Sequence, residues 1–395
     1  MRTQVGIVGA GPAGLMLGHL LHLRGIDSVI IEDRSQEHVI DRVRAGVLEQ
    51  GTVDLMHDVG VGDRLAREGM RHEGIYLAFG GARGQTRHRI DMSALTDGRA
   101  ITIYGQNEVV KDLIAARVTS GRPVIFGASD VRVRDLDSRQ PRVEWRLDGV
   151  AASVECDFIA GCDGSHGICR PSMPADYVTL YERTYPFAWL GILARAAPST
   201  DELVYSLHER GFALFSMRSQ EVTRLYLQCA PDEDLAAWPD DRVWAELKTR
   251  LRTIDGWEPN DGEIIQKSVT PMRSLVAEPM RYGRLFLAGD AAHVVPPTGA
   301  KGLNLAMADV WRLANGLSAF YENGRESALD EYSERGLRRT WRAQRFSWWM
   351  TSMLHRSDSA NPFDHRRQLA ELDYLVSSRA AMTSLAENYV GVPLE

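Results

Sequence analysis

The sequence has few cysteines, no long apolar run and no excess of basic residues, and each absence excludes a class of protein. None of its four cysteines forms a CxxC pair, which argues against a zinc site and a disulfide framework. No apolar run approaches the roughly 18 residues of a membrane span, and no basic leader precedes the first apolar segment. The net charge of -7 argues against general nucleic-acid binding. We therefore expect a cytoplasmic protein with buried, reduced thiols and no metal, membrane or nucleic-acid partner.

The first segment with a clear pattern is "TQVGIVGAGPAGLMLGHLLHLRGIDSVIIE". It predicts a strand, a helix and a second strand, over 4–8, 12–23 and 28–31. Between the first strand and the helix, Gly9 permits a tight turn, Gly11 lets the backbone approach a pyrophosphate, and Gly14 lets the helix pack on the strand. Glu32 ends the second strand, where a carboxylate accepts hydrogen bonds from a ribose. The segment predicts a dinucleotide site and leaves NAD and FAD both open.

Two later segments repeat the pattern of an apolar strand followed by an acid. Asp163 follows the strand in "CDFIAGCDGSHG", and Asp290 follows the strand in "RLFLAGDAAH". Ligands of doubly wound sheets bind at the carboxyl ends of the strands, where such acids accept hydrogen bonds from ribose or ribitol hydroxyls. A helix N-cap is the alternative role for Asp290.

A two-stranded pattern in "RGFALFSMRSQEVTRLYLQ" brings polar side chains onto an apolar face. Because side chains alternate along a strand, one face carries Phe212, Leu214, Ser216 and Arg218. If 219–223 form the loop, Ser216 lies opposite Tyr226 and Arg218 lies opposite Arg224. Arginine can bind a carboxylate through two parallel hydrogen bonds, so this face suits an aromatic acid. The alternative is a surface hairpin with solvated arginines.

A second hairpin is predicted in "DELVYSLHERGF", with its turn at 208–211. This register places Tyr205 opposite Leu214, so the Tyr205 hydroxyl reaches the same face as the arginine. Phenols lose their proton at about pH 10 in water, so a site that forms a phenolate at neutral pH needs a relay that accepts the proton. A plain core tyrosine is the alternative.

The stretch "AGDAAHVVPPTGAKGLNLA" joins the late acid to a helix. Pro296 and Pro297 stiffen the turn. Residues 299–304 begin a helix whose N–H groups and dipole favour a negative charge on a ligand. Lys301 lies in this helix start, where a solvated lysine is the alternative to a role in the site.

Together, the three segments that each carry an acid after a strand resemble the FAD-dependent aromatic hydroxylases. The stretches "RVRAGVLEQGTVDL", "HEGIYLAF", "YGQNEV", "HERGFALFSMRS", "HVVPPTGAKGLNLA", "RFSWWMTSMLHR" and "AENYVG" occur in the order typical of that family, and the resemblance spans essentially the whole chain. It implies an α/β, Rossmann-like FAD-binding domain, an inserted antiparallel-sheet substrate domain and a helical C-terminal region from about residue 301. The implied FAD-binding domain comprises 1–76, 101–185 and 268–395, and the implied substrate domain comprises 77–100 and 186–267.

The resemblance also implies roles for individual residues. The residues that match FAD-binding positions are Gly9, Gly11, Gly14, Glu32, Arg42, Arg44, Gln106, Asp163, Arg224, Asp290, Lys301, Gly302, Leu303 and Asn304. The residues that match substrate-binding positions are Trp189, Leu203, Tyr205, Leu214, Ser216, Arg218, Tyr226, Pro297 and Thr298. Tyr205 would bind the substrate hydroxyl and pass its proton through Tyr389 toward His72, and Pro297 would lie beside the reacting ring.

Five further residues match positions on the nicotinamide side of the family's site: Asp33, Arg34, His38, His166 and Arg273. Asp33 would repel the 2′-phosphate of NADPH, whereas Arg34 would attract it. The sequence therefore leaves NADPH and NADH both open as reductants, with NADPH slightly favoured. A capping or surface role is the alternative for His166 and for Arg273.

The implied activity is hydroxylation of 4-hydroxybenzoate to 3,4-dihydroxybenzoate with NAD(P)H and O2, by a homodimer. Hydroxylation of another hydroxy- or aminobenzoate is the alternative within the family. A non-oxygenating flavin reductase or sensor is the alternative outside it, and such a protein would need no pair of relay tyrosines. A flavin halogenase is disfavoured because the sequence has no W-x-W-x-I-P stretch.

Overall fold

The computed structural model describes residues 1–41, 46–81, 84–356 and 361–394. Within these residues the strands form two large sheets and two small ones. The strands, in chain order, are β1 (Val5–Val8), β2 (Ser28–Ile31), β3 (Val47–Glu49), β4 (Met70–His72), β5 (Gly74–Gly81), β6 (Gly84–Asp91), β7 (Ile101–Ile103), β8 (Val124–Ile125), β9 (Ser129–Arg134), β10 (Arg142–Leu147), β11 (Val150–Glu155), β12 (Phe158–Gly161), β13 (Thr179–Arg195), β14 (Val204–His208), β15 (Gly211–Met217), β16 (Thr223–Cys229), β17 (Glu263–Glu278), β18 (Arg281–Tyr282), β19 (Leu285–Leu287) and β20 (His293–Val294). The helices are α1 (Pro12–Leu23), α2 (Gln36–Asp41), α3 (Gln50–Asp58), α4 (Asp63–Glu68), α5 (Met92–Leu95), α6 (Gln106–Thr119), α7 (Asp240–Leu251), α8 (Gly302–Asn323), α9 (Ser327–Asp330), α10 (Tyr332–Leu354), α11 (Pro362–Ser377) and α12 (Arg379–Val390).

The six-stranded sheet contains the predicted nucleotide-binding segments, in the order β18-β19-β12-β1-β2-β8. β1 pairs in parallel with β2 and β12, and β12 pairs in parallel with β19. Every residue of β1 and β2 is buried, as expected for parallel strands covered on both faces. α1 begins at Pro12, whose missing N–H is tolerated in the first turn. The three predicted spans near the N-terminus are therefore confirmed to within one residue.

The eight-stranded sheet has the order β20-β17-β13-β16-β15-β14-β5-β6 and is antiparallel except between β14 and β5. Its central strand β15 is buried along its whole length, because helices cover both faces. Arg250 at the end of α7 contacts Ser206 on one face, and His355 just after α10 stacks on Phe212 on the other. This second face, which carries Phe212, is called the cavity face below.

The C-terminal helices connect the two large sheets. α8 packs against α1 beside the parallel sheet. Phe346 and Met350 of α10 and Tyr389 of α12 belong instead to the hydrophobic core of the eight-stranded sheet. The predicted helical region after residue 301 is confirmed. This arrangement places the turn before α8 between the two cores.

The predicted fold class is confirmed: a largely parallel α/β sheet is joined to an antiparallel sheet and a helical C-terminal region. The predicted domain limits stay predictions. The cysteines are buried and unbonded, as expected: Cys156, Cys162, Cys169 and Cys229. In the part of the chain that the structure describes, no helix combines the length and apolarity needed to cross a bilayer.

Candidate functional site

The turn between β1 and α1 forms a cradle that only glycine can build. Gly9 has a φ of +103°, and a Cβ on Gly14 would lie 1.9 Å from the Gly9 carbonyl oxygen. A Cβ on Gly11, in contrast, would meet no protein atom within 4 Å, so space is open in front of this residue. α1 has neither a side-chain cap nor an acid in its first turn. An uncapped helix start beside open space is suited to bind a phosphate.

Glu32 lies just after β2 and is oriented by the backbone. Its carboxylate accepts hydrogen bonds from the Ala10 N–H at 2.6 Å and from the Arg34 N–H at 3.0 Å. Burial, assisted by a hydrogen bond with Asp33 and opposed by the backbone donors, raises the pKa of Glu32 to about 6. The carboxylate therefore lies beside the cradle at the carboxyl edge of the sheet.

Asp163 follows β12 at the same edge. Its Oδ2 accepts a hydrogen bond from the Cys169 N–H at 2.8 Å. Its Oδ1 is buried and has no hydrogen-bond partner among the described residues. Burial raises the pKa of this carboxyl above its ordinary value. A ligand hydroxyl would satisfy the orphaned oxygen, which fits the hydroxyl-rich linker of a dinucleotide.

The loop that carries Asp290 is fixed by two residues that we did not predict from the sequence. The Asp309 carboxylate accepts a hydrogen bond from the Gly289 N–H at 3.0 Å and contacts the His293 Nε2 at 2.6 Å. Burial acts to lower the pKa of His293, but the charge and hydrogen bond of Asp309, together with the charge of Asp290, outweigh it, so the pKa is raised. Asp309 is an acid within the apolar segment "NLAMADVW", which is the signal that marks it in the sequence.

The predicted hairpin register is wrong by two residues. Leu214, not Ser216, lies opposite Tyr226, and Ser216 lies opposite Arg224. The loop is shorter than predicted, because the Arg218 N–H donates to the Val222 carbonyl at 2.8 Å. A shift of two preserves the face of every side chain, so the predicted grouping on one face survives the correction.

The second predicted register is confirmed, since Tyr205 pairs with Leu214. Tyr205, Leu214 and Tyr226 therefore form a row across β14, β15 and β16 on the cavity face. Trp189 of β13 lies beside this row, with its ring centroid 4.7 Å from that of Tyr226. Leu203 is buried one residue before β14. The row, Trp189 and Leu203 form a largely apolar surface.

Two arginines bring positive charge into this interior. The Arg224 guanidinium lies 5.1 Å from the centre of the Tyr226 ring, and its Nε and Nη1 have no hydrogen-bond partner among the described residues. A Cβ on Gly46 would lie 2.6 Å from the Arg218 Nη1, so the missing side chain makes room for this guanidinium. Burial lowers the pKa of Arg218. Two desolvated guanidinium groups favour an anionic ligand.

Two buried phenols lie in contact near the turn before α8. The Tyr205 and Tyr389 hydroxyls share a short hydrogen bond, and the Tyr205 hydroxyl also donates to the Thr298 carbonyl at 3.3 Å. Burial raises the pKa of both phenols above the ordinary value, so both stay neutral near pH 7. His72 is buried with both ring nitrogens unpartnered among the described residues, and burial lowers its pKa to about 4. The tyrosine pair is thus formed, whereas no hydrogen bond joins it to the histidine.

The side chains of Lys301 and Asn304 bind the start of α8 to Val47 and Glu49. Lys301 is buried and bonds the Glu49 carboxylate at 2.6 Å, so the alternative of a solvated lysine is wrong. Burial lowers the pKa of Lys301. The Asn304 side chain accepts from the Glu49 N–H at 2.9 Å and donates to the Val47 carbonyl at 3.0 Å. α8 has no side-chain cap. The backbone N–H groups of Gly302 and Leu303 are therefore the groups at this helix start that can face a ligand.

The remaining predicted residues lie in three places. Gln106 is the first residue of α6, which also has no side-chain cap. Asp33, Arg34 and His38 are exposed, and the first two form an ion pair at 3.6 Å. His166 and Arg273 are brought together elsewhere, with 3.3 Å between their nitrogens. Arg42 and Arg44 lie outside the described residues. The roles of all these residues stay predictions.

Comparison with known proteins agrees with this geometry. Residues 2–347 match the family model for an FAD binding domain. A p-hydroxybenzoate hydroxylase of Acinetobacter baylyi is 50% identical over 395 residues, which are 100% of this chain and 96% of that protein. A 3-(3-hydroxy-phenyl)propionate/3-hydroxycinnamic acid hydroxylase of Burkholderia vietnamiensis is 25% identical over 349 residues, 82% of this chain and 60% of that protein.

Solved structures show the same fold. A p-nitrophenol 4-monooxygenase of Pseudomonas putida superimposes with a TM-score of 0.79 at 20% sequence identity, and the match covers 99% of this chain and 99% of that one.

Proposed function

The chain belongs to the FAD-dependent aromatic hydroxylases, and we propose that it hydroxylates p-hydroxybenzoate to 3,4-dihydroxybenzoate. The observation that supports this substrate best is the cavity face, which combines the guanidinium groups of the buried Arg224 and the half-buried Arg218, a buried pair of phenols and apolar side chains. A benzoate with a para hydroxyl has the three complementary parts: a carboxylate, a ring and a phenol. The similarity to the p-hydroxybenzoate hydroxylase of Acinetobacter baylyi, which extends over the whole chain, supports the same substrate.

The residues that would hold FAD fit a dinucleotide. The uncapped start of α1 would face the pyrophosphate, Glu32 would accept from a ribose, and Asp163 and Asp290 would lie along the flavin side. The start of α8 would place N–H groups at the flavin ring. When bound, FAD supplies the redox chemistry, in which it takes a hydride from NAD(P)H and activates O2.

The side chains of the cavity face would bind and orient the substrate. Arg218 would grip the carboxylate through two parallel hydrogen bonds, assisted by Ser216 and Tyr226. The Tyr205 hydroxyl would take a hydrogen bond from the substrate phenol. Because both phenols stay neutral, the proton would move by exchange along the pair, entering at Tyr205 as the proton of Tyr205 passes to Tyr389.

Removal of this proton raises electron density at the ring carbon ortho to the hydroxyl. The cavity would also exclude water from the reacting centre. The overall change balances as p-hydroxybenzoate, O2, NAD(P)H and one proton giving 3,4-dihydroxybenzoate, NAD(P)+ and water.

The reductant and the assembly are finer proposals. Asp33, Arg34 and His38 form one exposed candidate surface for NAD(P)H, and the contact between His166 and Arg273 forms another. We favour NADPH because Arg34 can bind a 2′-phosphate. We also expect a cytoplasmic homodimer, which sedimentation of the holoenzyme would test.

The deciding experiment is oxidation of NADPH and of NADH by the purified holoenzyme, measured side by side with and without p-hydroxybenzoate. Product identification must show 3,4-dihydroxybenzoate in amounts that match the reductant consumed. Aminobenzoates and other hydroxybenzoates serve as the comparison panel. A preference for an aminobenzoate would contradict the assigned substrate, and substrate-independent turnover without oxygen would contradict the reaction.

A further inference from the structure

A histidine without a predicted role lies among the aromatic side chains of the cavity face, where it packs against Phe212. The His355 ring is buried and stacks on Phe212, with 4.3 Å between the centroids and 22° between the planes. It also stacks on Phe187 at 4.7 Å and 10°, and lies nearly parallel to Trp189 at 5.9 Å and 13°. The imidazole is therefore held between aromatic rings that determine its plane.

Two hydrogen bonds determine which nitrogen of His355 carries the proton. The Nδ1 lies 3.0 Å from the Thr351 carbonyl, which can only accept, so Nδ1 donates. The Trp189 indole N–H, which can only donate, lies 2.6 Å from Nε2. The ring is thus neutral with a single tautomer. Burial lowers its pKa to about 3, so it stays neutral across the working pH range.

The same last turn of α10 also contacts the phenol end of the cavity. The Thr351 hydroxyl lies 2.9 Å from the Thr298 hydroxyl. The Thr298 carbonyl in turn accepts the hydrogen bond from Tyr205. Thr351 therefore contacts the turn beside Tyr205 through its hydroxyl and His355 through its carbonyl. One helical turn connects the phenol pair to Trp189.

From this arrangement we infer that His355 is a positioning residue, which holds the Trp189 indole and so keeps Tyr226 and Arg224 aligned with the substrate. Trp189 contacts the Tyr226 ring, and the Arg224 guanidinium lies over the same ring, 5.1 Å from its centre. The inference rests on the proposed function. Loss of the acceptor would leave a buried indole N–H unsatisfied, and the indole would rotate or admit water to satisfy it.

Misalignment has a chemical readout. When the substrate ring is not in place, NAD(P)H, O2 and one proton give NAD(P)+ and hydrogen peroxide, and no hydroxylated product forms. The product formed per NADPH oxidised therefore reports the positioning separately from folding and flavin reduction.

The test is a double-mutant cycle with a matched pair of substitutions at His355. His355→Gln keeps an acceptor for the indole N–H, whereas His355→Met has similar size and no comparable acceptor. We expect His355→Met in the holoenzyme to lower product per NADPH at least about threefold and raise the KM for p-hydroxybenzoate about tenfold. His355→Gln should stay within about threefold of the wild type. In a Trp189→Phe background, which lacks the donor, Gln and Met should differ less than about twofold.

Two results would overturn the positioning role. One is a Gln variant as uncoupled as the Met variant, and the other is a difference between Gln and Met that persists unchanged with Trp189→Phe. If either variant fails to retain FAD, His355→Asn and His355→Leu repeat the comparison with smaller side chains. A wild-type holoenzyme that does not hydroxylate p-hydroxybenzoate contradicts the proposed function instead, because the cycle presupposes it.

Discussion

The parallel sheet and the cavity face are both suited to hold a negative charge, but they present different groups to it. At the end of β1 the partial positive charge comes from the backbone N–H groups at the start of α1, which has neither a side-chain cap nor an acid in its first turn. On the cavity face it is the guanidinium groups of Arg218 and Arg224. Backbone N–H groups carry no ionic charge to desolvate, whereas burial lowers the pKa of Arg218. The first region therefore depends on missing side chains, and the second depends on the side chains themselves.

The two regions also differ in how far apart their residues are in the chain. The cradle is complete within the first 32 residues, between Val5 and Glu32. The phenol pair, in contrast, joins residues that are 184 positions apart. A local cradle tolerates changes elsewhere in the chain, whereas the cavity face depends on the docking of the C-terminal helices.

The largest expected effect is that of Gly14→Ala. The new Cβ would lie 1.9 Å from the Gly9 carbonyl oxygen, and β1 and α1 cannot separate without losing the core between them. We expect the free energy of unfolding to fall by about 3 kcal/mol and FAD to be lost. Urea unfolding and flavin absorbance measure the two effects.

Gly11→Ala is the matched control in the same turn. Its Cβ meets no protein atom within 4 Å, so the stability of the apoprotein should change by less than about 0.5 kcal/mol while FAD affinity falls. Unchanged FAD affinity in Gly11→Ala would mean that the open space at Gly11 is not reserved for a ligand.

On the cavity face the largest expected effect is that of Arg218→Lys. An ammonium group cannot make two parallel hydrogen bonds to a carboxylate, so we expect the KM for p-hydroxybenzoate to rise about a hundredfold. The exposed Arg338→Lys is the control and should leave KM unchanged. Steady-state kinetics at saturating NADPH measures both variants. An unchanged KM in Arg218→Lys would remove this residue from the carboxylate site.

Tyr205→Phe should have a smaller effect, confined to the fate of oxygen. Without the hydroxyl the substrate phenol loses its proton path, so we expect product per NADPH to fall at least about tenfold while flavin reduction changes little. Stopped-flow reduction and peroxide assays separate the two half-reactions. Tyr374→Phe, at an exposed tyrosine, serves as the control. Full hydroxylation by Tyr205→Phe would contradict the relay.

The smallest effect concerns the pH dependence of the pair of His293 and Asp309, which fixes the loop of Asp290. Because the pKa of His293 is raised in the folded protein, its stabilisation is fully present below the unfolded pKa of about 6.5 and is lost as pH rises through the folded pKa. We expect His293→Gln to remove a slope of at most about 1.4 kcal/mol per pH unit. Urea unfolding of apoprotein from about pH 5.5 to 8.5 compares the variant with the wild type, and parallel curves would contradict the pairing with Asp309.

The cradle could be predicted from the sequence to within one residue, because its geometry is local. A glycine-dependent turn, a helix that begins at proline and a buried strand each depend on neighbouring residues, and their periods of 3.6 and 2 appear directly in the sequence. The same period of 2 identified the face that carries Leu214 and Ser216, although the register was wrong. Register depends on which backbone groups pair across the loop, here Arg218 with Val222.

The sequence by itself determined the two large sheets, the acids at the strand ends and the face on which the polar side chains lie. Only the tertiary structure decided that Lys301 is buried against Glu49, that Asp309 fixes the loop of Asp290, and that His355 accepts the Trp189 N–H. The reason is that a buried polar group must find its partner wherever the fold brings one, and that partner can lie anywhere in the chain.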